Sequence, residues 1–295
     1  MRRAERTLPS TFSIVAFDFE SGDLGIAVQS KFLGVGALVP WAQADVGAIA
    51  TQAHANLSYG PRGLDMLAGG ASAQETLDAL IAEDEERARR QVGVVDTHGR
   101  AAAYTGAECF DWAGHMVSEG SACQGNILVS GETVQRMAEA FQETAGELPE
   151  RLLAALGAGQ AAGGDRRGQQ SAALLVVRRS GGYGGLSDRY VDLRVDDHTQ
   201  PIDELGRLLR LHRVYFGQPR PEDLLPLEGD LLREVQTLLT DLAYYRGPLA
   251  APYDEALHQA LFDFAGMENL EERLQEGPQI DRVILEFLRQ QGGKG

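Results

Sequence analysis

The chain has 295 residues, 43% of them hydrophobic, enough to bury a substantial core in one large domain and a small one. Its formal net charge of −16 argues against nucleic acid and anionic membranes as partners, since phosphates need Lys and Arg opposite them. The two cysteines, Cys109 and Cys123, make no disulfide framework and no apolar run is long enough to span a bilayer, so the sequence reads as a cytoplasmic protein with reduced thiols.

Residues 1–10, MRRAERTLPS, read as a leader. It carries Arg2, Arg3 and Arg6 but no apolar stretch, so it matches neither a Sec nor a twin-arginine export signal. Thr11 then opens a strand in which Phe12, Ile14 and Ala16 alternate with Ser13, Val15 and Phe17. Glu20-Ser21-Gly22-Asp23 is turn chemistry, and Leu24 to Ser30 reads as the returning strand. Both faces are mostly apolar, which places this hairpin between two layers. Val46 to Gln52 predicts a further buried strand. Ser72 and Glu75 have capping-box spacing ahead of a helix with Leu77, Leu80 and Ile81. Strands follow at 91–97, 100–104 and 121–129. Helices start at Glu132 and Pro149, strands cover 170–177 and 190–195, and 201–216 is an amphipathic helix.

The texture changes at GQPRPEDLLP, residues 217–226, whose three prolines mark a linker. Residues 227–295 read as a helical module. From 221 to 295 there are six Lys and Arg against fifteen Asp and Glu, so charge gives this segment no affinity for nucleic acid or an anionic polymer. Strand groups flanking two central helices suit two packed sheets covered by helices, an α+β domain over 11–216.

Several blocks carry a family likeness: TFSIVAFDFESGDLGIAVQSKFLGVGALVPWA, GAIATQ, YGPRGLDML, QVGVVDTHGRAAAYTG, CQGNIL, GQAAGGDRRGQQSAALLV and VDLRVDDHTQPIDELGRL. In this order, from Thr11 to about Phe216, they resemble the "domain of unknown function 1028" family. That resemblance implies the N-terminal-nucleophile (Ntn) hydrolase superfamily and its four-layer αββα sandwich. The segment VQTLLTDLAYYRGPLAAPYDEALHQALFDFAG is similar to a peptidoglycan-binding module that follows such domains, through Ala243-Tyr244-Tyr245-Arg246-Gly247 and the aromatics Phe262 and Phe264. The Gly usual in the acidic turn of that module is absent here.

The superfamily likeness implies a role for Thr11: a nucleophile whose own α-amine, freed by removal of the leader, acts as base. An α-amine titrates near about 8, so it accepts a proton near neutrality with modest tuning. The alternative is a β-branched residue that begins a strand. Ser30 and Lys31, at the end of the second strand, are candidates for tuning the nucleophile, or else a surface strand end. Gln124 and Asn126 offer amide donors to an oxyanion, or bond nearby backbone. In the loop GGDRRGQQS, Asp165 would hold an amine or orient a base. Arg166, Gln170 and Ser171 would contact substrate, with one of Arg166 and Arg167 pairing with Asp165 instead. Arg62 is either a helix-start anchor or an anion contact. The substrate expected is a small amide or peptide-like molecule bearing a carboxylate. The alternative is a non-catalytic binding or scaffold protein that keeps the fold. No cofactor is called for, the six histidines show no metal-ligand spacing, and a homo-oligomer is compatible with the sequence.

Overall fold

The computed structural model describes residues 11–249 and 251–292; the expected leader lies outside them. The chain divides into two compact units, Met1–Leu209 and Arg210–Gly295.

The first unit is a mixed α+β domain. It runs β1 (Thr11–Phe17), β2 (Leu24–Ser30), β3 (Pro40–Gln43), β4 (Gly47–Ala53), α1 (Tyr59–Ala68), α2 (Ala73–Ala82), β5 (Arg90–Asp96) and β6 (Ala101–Thr105). There follow β7 (Gly114–Ser118), β8 (Ser121–Asn126), α3 (Glu132–Glu143), α4 (Leu148–Ala161), β9 (Ser171–Val177), β10 (Arg189–Val195) and α5 (Pro201–Phe216). The strands form a six-stranded sheet, β10-β9-β2-β1-β8-β7, and a four-stranded sheet, β3-β4-β5-β6. Neighbouring strands are antiparallel throughout.

The alternation of β1 decides how these pieces stack. Phe12, Ile14 and Ala16 face a core shared with Met137 and Phe141 of α3, Leu152 and Leu156 of α4, and Leu205 of α5. Val15, on the other face, joins Ile26 and Val28 against Ala48, Ala50 and Val95 of the second sheet. That sheet buries Ile49, Val92 and Val94 against Tyr59, Leu77 and Leu80 of α1 and α2. The hairpin β1–β2 therefore lies between two layers, as its apolar faces require. Fully burying a side chain such as Phe12 or Ile14 contributes about 1.5–3 kcal/mol. The capping box at Ser72 forms: Ser72 Oγ accepts from the Glu75 amide, and the Glu75 carboxylate accepts from the Ser72 amide. At the turn end of the hairpin, Arg178 grips the fully buried Asp23 with two hydrogen bonds of 2.8 and 2.6 Å, tying β2 to the end of β9.

Four elements depart from the sequence pattern. β3 and β7 are short edge strands with no clean alternation, and β7 exposes Met116 and Val117. β8 stops at Asn126 because Ile127 turns into the left-handed region at φ 52°, which a strand cannot continue through. Within the span read as a linker, Leu224–Pro226 forms β11.

The second unit begins inside α5. It continues through β11, α6 (Gly229–Asp241), α7 (Glu255–Met267), β12 (Gln279–Asp281) and α8 (Arg282–Gly292). β11 pairs with β12, and Val235, Leu239, Tyr245, Leu261, Phe264, Leu285 and Leu288 make a separate core. Arg273 holds this unit together. It donates to the carbonyls of Arg213 and Val214 at the end of α5, where the helix dipole favours a cation. It also pairs at 3.1 Å with Asp281, which is fully buried and accepts the Val283 amide at the start of α8. Arg273→Met leaves that carboxylate buried and unpaired. We expect a loss of about 3–5 kcal/mol in the stability of this unit, read from urea unfolding of the full chain. A loss below 1 kcal/mol would show that water replaces the guanidinium without cost.

Candidate functional site

Thr11 stands at the head of β1, near the middle of the larger sheet. Its in-register neighbours are Ser30 on β2 and Asn126 on β8, and Ser30 in turn pairs with Ser171 on β9. Cross-strand partners share a face, so the sheet carries one polar row: Ser171, Ser30, Thr11, Asn126. Ser13, two residues along β1, shares that face and reaches Gln52 on the opposite sheet, so the row faces the space between the sheets. All four residues are buried. Thr11 Oγ1 lies 3.2 Å from Ser30 Oγ.

A buried set of uncharged groups meets this row from the other sheet. Gln52 and Gln91 are paired across β4 and β5. Gln52 Nε2 donates to Gln91 Oε1 at 2.9 Å and to the Thr11 carbonyl at 3.3 Å, while its Oε1 accepts from Ser13 Oγ at 2.6 Å. Gln124 Nε2 donates to Ser13 Oγ at 2.7 Å. Asn126 Nδ2 donates to Gln91 Oε1 at 2.9 Å. Gln124 crosses between the sheets only because position 93 is glycine; a Cβ there would stand 2.4 Å from Gln124 Oε1.

The structure brings most of the sequence-predicted residues to this end of the sheet and shows what each is bonded to. Asp165 accepts the Lys31 amide at 2.9 Å and the Arg167 guanidinium at 3.1 Å, so Arg167 is the arginine that pairs inside the loop. Lys31 Nζ donates to the Gln169 carbonyl. Arg166 is exposed, with its amide on the Ile127 carbonyl. Ser171 Oγ donates to the Phe32 carbonyl at 2.5 Å and accepts the Val35 amide, closing the loop after β2. Gln170 Nε2 donates to Asp197. Gln124 Nε2 donates to Ser13 Oγ, and its oxygen lies against Gly93 without a hydrogen-bond partner. Arg62 is not part of the constellation. It lies exposed on α1, on the outer side of the smaller sheet, where it pairs with Glu83.

The sequence pattern did not single out Ser13, Gln52 or Gln91. A signal was present: Gln52 and Gln91 are amides on strands whose neighbours are apolar, and a buried amide in a strand must find partners.

One register step outward, Arg90 pairs with Ala53 and its side chain turns to the opposite face of the small sheet. There it bonds Asp84, Glu86 and the His54 carbonyl and ring. Asp84 also accepts from Asn56 and Tyr59. The Arg90 guanidinium, against the cost of burial and helped by Asn56 and Tyr59, holds the Asp84 carboxyl well below the usual carboxylate range. Burial first, then the bond to Asp84, pushes the Tyr59 phenol well above its ordinary value. Among the described residues, no group of three or more His, Cys, Asp or Glu converges as metal ligands would, and no helix is long and apolar enough to cross a membrane.

These features define a two-sheet α+β domain with a hydroxyl residue heading its central strand, joined to a small helical unit. The chain belongs to the family of unknown function DUF1028, whose model matches residues 11–205. It is similar to the crystal structure of a DUF1028 protein from Silicibacter pomeroyi, at 32% identity and a TM-score of 0.64, covering 69% of this chain and 89% of that one. A second family model, described as a peptidoglycan binding domain, matches residues 215–288. No curated protein matches the chain.

The depressed Asp84 carboxyl carries a pH signature. Its folded pKa lies below the unfolded value of about 3.9, so its contribution to stability is full above that value and is lost as pH falls through the folded one. We expect urea midpoints of the wild type to fall below about pH 4. In Asp84→Asn, already weaker at neutral pH, that part of the acid loss should be missing. Parallel pH curves for the two proteins would remove Asp84 from the account.

Proposed function

We propose that the first unit is an amidohydrolase for a small amide or peptide-like substrate, with Thr11 as nucleophile once residues 1–10 are removed. The observation that carries the reading is the position of the Thr11 hydroxyl, 3.2 Å from Ser30 Oγ at the head of the central strand. Thr11 is weakly nucleophilic without a base. Cleavage before it converts an amide nitrogen into an amine that can take the hydroxyl proton.

In the proposed cycle, Thr11 Oγ1 attacks the substrate carbonyl as its proton passes to the α-amine. The resulting ammonium then protonates the leaving amine, and water, deprotonated by the same amine, releases the acyl group from Thr11. Ser30 orients the hydroxyl. Asn126, the register neighbour on the other side, is assigned to the developing oxyanion. The surroundings support a neutral amine. The row and the amides facing it are uncharged, and the carboxylate of Asp165 is engaged by Arg167 and the Lys31 amide. Burial among uncharged groups lowers an amine's pKa. Lys31 and Arg166, both exposed on the neighbouring loops, suit a substrate with a carboxylate.

The test compares three proteins against a panel of small amides and acyl-amino acids: full-length, a chain beginning at Thr11, and that shortened chain with Thr11→Ala. Only the shortened wild type should turn over substrate, on a pH profile that rises through the amine pKa, at or below about 8. Because Thr11 is buried, Thr11→Ala also costs about 1 kcal/mol of stability. Thr11→Ser keeps the hydroxyl and serves as the control. Equal activity in all three proteins would place the chemistry elsewhere.

A second reading, a non-catalytic binding protein, is favoured by the match of residues 215–288. On this reading purified peptidoglycan retains the full chain saturably, and Thr11→Ala leaves that retention unchanged.

A further inference from the structure

We infer that Gln91 is a positioning residue: it fixes the direction of each amide around the head of β1 and thereby decides which atoms of Asn126 and Gln52 face Thr11. Its relevance to chemistry rests on the proposed role of Thr11; the geometry does not.

The direction of each amide follows from which groups can only accept. Gln91 Nε2 stands 2.8 Å from the Gly125 carbonyl, 3.1 Å from the Gly114 carbonyl and 2.9 Å from Thr105 Oγ1. Two of these three are carbonyls, which never donate. The nitrogen of Gln91 must therefore be on that side, and its oxygen on the other. That oxygen faces Gln52 and Asn126, each 2.9 Å away, so both must present N–H to it. The Gln52 nitrogen is then committed towards Gln91 and the Thr11 carbonyl, which turns its oxygen to Ser13. The Ser13 hydroxyl must donate to that oxygen and accept from Gln124. One side chain on the smaller sheet thus sets the polarity of four others, Thr105 aside. Rotating the Gln91 amide by half a turn would place N–H against the N–H groups of Gln52 and Asn126, and oxygen against two carbonyls.

The network also has directional reach. Gln52 Nε2 is the side-chain donor on the Thr11 carbonyl, so the Gln91–Gln52 pair holds the residue that carries the nucleophile through its main chain. Asn126, committed to Gln91 by one N–H, has its amide plane fixed beside Thr11. A reacting hydroxyl displaced by about 1 Å loses on the order of a hundredfold in rate. A hub that holds both flanks of Thr11 is therefore as necessary to the proposed reaction as a group that touches substrate.

The experiment reads the side-chain amides of the full chain by NMR. In the wild type, the Asn126 N–H given to Gln91 should exchange with solvent at least tenfold more slowly than an exposed amide. Fast exchange of both Asn126 protons would overturn the inference without any variant. Gln91→Met keeps the shape and deletes the bonds; it should shift the Asn126 and Gln52 amide signals and abolish that protection. Gln91→Glu gives a rescue that a mere loss of packing would not show. Its ionised carboxylate cannot donate to Gly125 or Gly114, whereas its protonated form is shaped like the amide and can donate once. The Asn126 signals should return towards their wild-type positions as pH falls, because protonation restores the donor. Unchanged signals in both variants, or shifts in Gln91→Glu that ignore pH, would refute the hub. The catalytic consequence is read separately, as acylation of Thr11 by a β-lactone probe in the chain beginning at Thr11. Gln91→Met should slow the acylation step at least tenfold while leaving the concentration for half-saturation nearly unchanged. If the wild-type shortened chain is not acylated, the Thr11 reading fails and the hub still stands or falls by the amide signals.

Discussion

Polar groups buried between two sheets have no water to bond, so each must find its partner in the protein. At one end of this sandwich that constraint governs the arrangement. The inner faces of the sheets are apolar along most of their length, where Val15, Ile26 and Val28 meet Ala48, Ala50 and Val95. At the Thr11 end they turn to hydroxyls and amides. An unpaired buried amide costs about 1–3 kcal/mol, so Ser13, Gln52, Gln91, Gln124 and Asn126 stabilise the fold only as a connected set. The one exception is Gln124 Oε1, which faces Gly93 without a partner.

The charged groups lie outside this uncharged zone. Arg90 follows the alternation of β5 to the outer face of the small sheet, where Asp84 and Glu86 meet it. Asp165 and Arg167 close on each other in the loop before β9. Ser171 spends its hydroxyl on the turn after β2. The chemistry proposed for Thr11 depends on this separation, because a carboxylate beside a catalytic amine would hold it protonated. The same separation explains why the loop that looks most reactive in sequence is largely self-satisfied: Arg167 closes on Asp165 and Lys31 on the Gln169 carbonyl.

Much of the fold was legible in the sequence. The period-two pattern of β1 and β2, the Ser72 capping box and the amphipathic helix at 201–216 each carry a local cause that the tertiary structure leaves alone. β3 and β7 were not legible, since an edge strand half in solvent has no pattern to obey. β11 was hidden by prolines, one of which, Pro226, ends an edge strand that donates little. The site was legible in part. The row of Thr11, Ser30, Asn126 and Ser171 follows once the strands are paired, but register is a property of the sheet and not of any one strand. Gln52 and Gln91 come from a different sheet, and nothing local in sequence says that they face Ser13. Arg62 shows the reverse case: a cation beside a family motif whose partner, Glu83, is a residue of its own layer.

The contacts of Arg273 give the second unit a particular order of assembly. Its guanidinium closes on carbonyls some 60 positions earlier in the chain and on a carboxylate 8 positions later. β11 likewise waits for β12, so the segment after α5 has no strand partner until Gln279–Asp281 has been made. During synthesis the first unit has its complete set of strands once Arg189–Val195 is made, well before β12. The second unit cannot close until Gln279–Asp281 has left the exit tunnel. The apolar faces of α6 and α7 therefore spend that interval without their full core, and transiently exposed apolar surface of this kind favours aggregation.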